Sequence, residues 1–66
     1  MKETIPIGSF LVPNEYMMRN MNYTSGIVME VKDDLWGPNY RVLLSQGFDK
    51  WISHETILNL FEVHKL

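Results

Sequence analysis

Apolar residues in this chain recur mainly at every second position, in short runs broken by glycine, proline and asparagine. That is strand spacing, not helix spacing. "GSFLVP", residues 8–13, reads as a short first strand held between Gly8 and Pro13. "SGIVMEVKDD", residues 25–34, is rich in β-branched residues. Its alternation places Ile27, Met29 and Val31 on one face and Val28, Glu30 and Lys32 on the other. "LWGPN" supplies a turn. "YRVLLS" then alternates again, with Tyr40, Val42 and Leu44 against Arg41, Leu43 and Ser45. "QGF" turns the chain into the return strand "DKWIS", which predicts a hairpin over residues 40–52 with Trp51 in the core. Residues 14–24, "NEYMMRNMNYT", carry three asparagines and no strong cap, and are expected to form an ordered loop. In that loop the adjacent Met17 and Met18 cannot both point inward. Ser53 is a good N-cap and Glu55 suits the first turn of a helix, so a single helical (3₁₀) turn is expected over 54–58, with His54 facing solvent. A last strand, "LFEVHKL", closes the chain.

Sixty-six residues make one small domain, expected over 1–66 with its core over 8–64. A single core of this size rarely supplies more than about 3–5 kcal/mol of net stability. Cysteine is absent, so neither disulfides nor thiolate metal sites can add to it. Self-association is the support that remains.

His54-Glu55 resembles the opening of the helical zinc motif H-E-x-x-H, but the position four residues after His54 is Leu58, and the only other histidine is His64. No metal and no cofactor are expected. Asp33-Asp34 reads as a solvated turn. Ser45, Ser53 and His54 lack the spacing of a nucleophile and its base, so no catalytic residue is assigned. The net charge is −2, and no two of the six basic residues are adjacent, which lowers the expectation of nucleic-acid binding. No apolar run exceeds three residues and no signal sequence is visible, so a cytoplasmic protein without membrane contact is expected.

The text "SGIVMEV … YRVLLSQGFDKWISHETI" resembles the SH3-like small barrels of Tudor and KOW type, with Gly-x-Val, Tyr-x-Val, a glycine turn, an apolar return strand and a serine-led turn. It is also similar to short bacteriophage-encoded barrel proteins of unassigned function. The resemblance covers residues 8–64. It implies an all-β barrel of about five strands with one short helical turn before the last strand, in a host cytoplasm or a virion if phage-encoded. Two departures weaken specific ligands of that fold. Trp36 and Trp51 are far apart where proline-peptide binders have tandem tryptophans, and Gln46 stands where Tudor domains often place an acid.

The reading that follows is a non-enzymatic interaction or structural module. It contacts a protein partner, or its own copy in a homo-oligomer, through edge strands at 8–13 and 59–64 and through rim aromatics. Tyr16, Tyr23, Trp36, Tyr40 and Phe48 are the expected partner-binding residues, in loops that would converge at one rim. The alternative is single-stranded nucleic-acid binding, with those aromatics stacking on bases and Arg19, Arg41 and Lys50 reaching phosphates.

Overall fold

The computed structural model of the chain describes residues 4–20 and 24–65. Strands β1 (Phe10–Pro13), β2 (Gly26–Asp34), β3 (Gly37–Leu44), β4 (Asp49–Ser53) and β5 (Phe61–His64) form one antiparallel sheet in the order β4-β3-β2-β1-β5. Helix α1 (Glu15–Asn20) follows β1, and helix α2 (His54–Leu60) joins β4 to β5. The chain is mostly β, one open five-stranded antiparallel sheet with two short helices, and β3 with β4 makes the expected hairpin.

Four expectations are corrected. Residues 15–20 are helical because Asn14 caps them: its Oδ1 accepts from the Met17 N–H at 3.0 Å, and its carbonyl accepts from Met18 N–H at 3.0 Å. Glu15 and Arg19 then pair one turn apart at 2.6 Å. The helix buries Met17 and leaves Met18 outside, the split expected of that pair. Second, α2 runs to Leu60 instead of stopping at residue 58, and Ser53 caps it as expected, its Oγ accepting from Thr56 N–H at 3.3 Å. Third, β1 is not an edge. It lies between β2 and β5, and the edges of the sheet are β4 and β5. Fourth, Trp51 is 47 % exposed, because it sits opposite Arg41 on the outward side of the edge strand β4.

The faces of β2 also differ from simple alternation. The register with β3 shifts between Val28, opposite Val42, and Glu30, opposite Arg41. Met29 is the extra residue of this bulge. Ile27 therefore points out of the sheet, while Val31 shares the side of its partner Tyr40. Tyr40, Val42 and Leu44 do share one face, and that face is buried. They join Leu11, Val28, Ile52, Ile57, Phe61, Met17 and Ile5 in the core.

Gly26 is fixed by this packing. A Cβ there would lie 2.7 Å from Val42 Cγ1 and 3.0 Å from the Leu43 carbonyl oxygen. Val42 is buried and β-branched, so it cannot rotate aside cheaply. Gly26→Ala is expected to destabilise the chain by about 1–3 kcal/mol, the usual scale of overpacking, as a lower urea midpoint at unchanged slope. A midpoint at or above the parent's would show that β2 and β3 are further apart than described here.

Candidate functional site

The register of the sheet assembles a surface that no single segment announces. His64 is opposite Phe10, Phe10 opposite Ile27, Ile27 opposite Leu43, and Leu43 opposite Asp49. Directly opposed residues project from the same face. One row thus crosses all five strands, reading His64–Phe10–Ile27–Leu43–Asp49. The alternate positions Leu11, Gly26 and Leu44 are buried, so this row is on the outer face. Phe10, Ile27 and Leu43 are 44, 40 and 40 % exposed, values that leave a contiguous apolar stripe open to solvent. The neighbouring row is Glu30–Arg41–Trp51.

On this face one guanidinium bridges two carboxylates, which leaves the cluster one negative charge in excess. Arg41 reaches Asp49 with Nη1 at 2.8 Å and Glu30 with Nη2 at 2.8 Å. The hydrogen bond from Arg41 holds the Asp49 carboxyl below its ordinary pKa. The same bond, aided by the charge of Glu30, raises that of Arg41. Among the described residues thirteen large hydrophobic side chains are exposed against ten hydrophobic residues in the core, so apolar side chains are not kept to the interior.

A second arrangement lies at the start of α2. Tyr40 Oη accepts from the Ile5 N–H at 3.0 Å and is 2.8 Å from His54 Nδ1. The two rings are tilted, with centroids 5.7 Å apart. His54, expected in solvent, is half-buried against Tyr40, and its bond ties α2 through β3 to the N-terminal segment. His54 and Glu55 line two adjoining clefts, one of about 290 Å³ with Trp36 and Ser53, the other of about 480 Å³ with Ile5, Leu58 and Val63.

The expected binding residues do not gather at one rim. Trp36, 91 % exposed, is at the tip of the β2–β3 hairpin, where Gly37 takes the positive φ of the turn and Asp34 Oδ1 accepts from Trp36 N–H at 2.8 Å. Phe48, also exposed, lies in the β3–β4 turn at the opposite end of β3, about 25 Å away along a strand of eight residues. Tyr16 is exposed on α1. Tyr40 is buried and cannot touch a partner, and Tyr23 lies outside the described residues. Of the proposed phosphate contacts, Arg19 and Arg41 are paired with carboxylates, and Lys50 is exposed on β4. Ile27 and Leu43 were outside the expected site, and Phe10 entered it only as part of the expected edge strand 8–13. Their signal was present as the runs Phe10-Leu11-Val12, Ile27-Val28-Met29 and Val42-Leu43-Leu44, apolar on both faces of their strands.

Among the described residues no helix is long and apolar enough to cross a membrane, and no three His, Asp or Glu side chains are grouped to hold a metal ion. Fold and surface together define a small antiparallel-sheet protein with one covered and one open face. No family model, curated protein or solved structure matches the chain.

Proposed function

We propose that the chain is a non-enzymatic interaction module of SH3-like small-barrel type, which contacts a protein, its own copy included, through the open face of its sheet and its edge strands. The observation that carries this reading is the solvent-exposed stripe Phe10–Ile27–Leu43 across the centre of the sheet. Contiguous apolar patches of this kind on small proteins mark contact surfaces. The barrel reading is supported by the strand order, by the bulge that bends β2 and by the helix between β4 and β5. β4 adds an open backbone edge beside a groove lined by Met17, Trp51, Thr56 and Phe61.

Single-stranded nucleic-acid binding is the weaker reading, since Arg19 and Arg41 are already paired and Trp36 and Phe48 point from opposite ends. Light scattering over a concentration series at low and high salt, beside an oligonucleotide titration, separates the two. Self-association that holds or tightens with salt is expected. A monomer that binds the oligonucleotide, with affinity falling steeply as salt rises, would overturn the proposal.

A further inference from the structure

We infer that the partner of the open sheet face is a second copy of this chain, stacked face to face about a two-fold axis that runs along the strands through Ile27. The inference rests on the contact-module reading and adds to it a face, a symmetry and a register.

The row itself carries the argument. A two-fold axis parallel to the strands reverses strand order across the interface. Ile27 then meets Ile27 of the other copy, Phe10 meets Leu43, and His64 at one end meets Asp49 at the other. Each apolar residue finds an apolar residue, and an imidazole finds a carboxylate. The row is therefore complementary to itself in this orientation, as an isologous contact must be. Rotation about the row instead would set every residue of the row against itself, Asp49 against Asp49 included, whereas the axis along β2 brings only Glu30 towards its own copy, a carboxylate that Arg41 already holds. Arg41 brings no uncompensated charge, because Glu30 and Asp49 both hold it, and the one negative charge left over from these two carboxylates is what His64 of the other copy meets.

Size fits as well. A standard interface covers about 800 Å² per partner, and weaker ones less. One broad side of a body with extents 31 × 21 × 21 Å is about 650 Å² in plan, so a copy of equal size can cover the face.

The test uses the absence of cysteine, which makes any introduced thiol unique. Stacked sheets lie about 10 Å apart, beyond a disulfide's reach of about 4.4–6.8 Å between Cα atoms but within that of a short bis-maleimide. Ile27→Cys should be cross-linked to a dimer in high yield at micromolar concentration. Leu58→Cys, on exposed α2, should not. Leu43→Glu, which sets a carboxylate over Phe10 of the other copy, should weaken association at least tenfold while its circular dichroism stays that of the parent. If the chain associates but Leu58→Cys cross-links and Ile27→Cys does not, this face and register are wrong while the contact-module reading stands. If the parent is monomeric at every concentration, the inference fails outright.

Discussion

Leu11→Ala is expected to leave most of the chain unfolded at 25 °C. Leu11 is fully buried on the interior strand β1, between Gly26 of β2 and Val63 of β5. Gly26 has no side chain to lean into the space left behind, so the cavity relaxes little. Leucine-to-alanine changes at such sites cost about 2–5 kcal/mol, against roughly 3–5 kcal/mol for the whole core of a domain this small. Urea titration followed by circular dichroism would show a midpoint near or below zero denaturant. A loss under about 1 kcal/mol would mean that β1 is not the centre of the core. Any dimer adds to stability by mass action, so the comparison has to be made at one protein concentration.

Tyr40→Phe should cost about 2–3 kcal/mol, more than the removal of one average hydrogen bond. The phenol oxygen serves two partners, the buried Ile5 N–H and His54 Nδ1, and the variant leaves both without it. An unsatisfied buried polar group costs about 1–3 kcal/mol. The ring still fills its place, so the effect is polar and not a cavity. Amide exchange reads it locally: Ile5 should lose protection while the central strands Leu11 and Val42 lose only what the global destabilisation requires. Uniform loss with no excess at Ile5 would show that the Tyr40–His54 contact does not anchor the N-terminal segment.

The strands were readable because alternation states which side is buried, and Tyr40, Val42 and Leu44 kept their stated face. The pattern failed at Met29. A bulge changes the parity of every residue after it, and nothing in "IVMEV" marks which residue is the extra one. Helix α1 was hidden by reading Asn14 as a loop residue, although asparagine is among the better N-caps. Tyr40 and Trp51 exchanged their expected environments for one reason. In the hairpin Tyr40 pairs with Ile52 on the inner face and Trp51 pairs with Arg41 on the outer one, and which face of the hairpin is covered is not written in local sequence. The open face was readable in part. Three strands with consecutive apolar triplets need cover on two sides, and the helices of this chain lie over one.

That open face is the centre of the account, and a dilution series of amide nuclear magnetic resonance spectra examines it residue by residue. Signals of Phe10, Ile27 and Leu43 are expected to shift or broaden as concentration rises, while Leu35, Trp36 and Leu58, all exposed elsewhere, stay where they are. Movement confined to the Trp36 and Leu58 end, or spectra unchanged across the series, would contradict it.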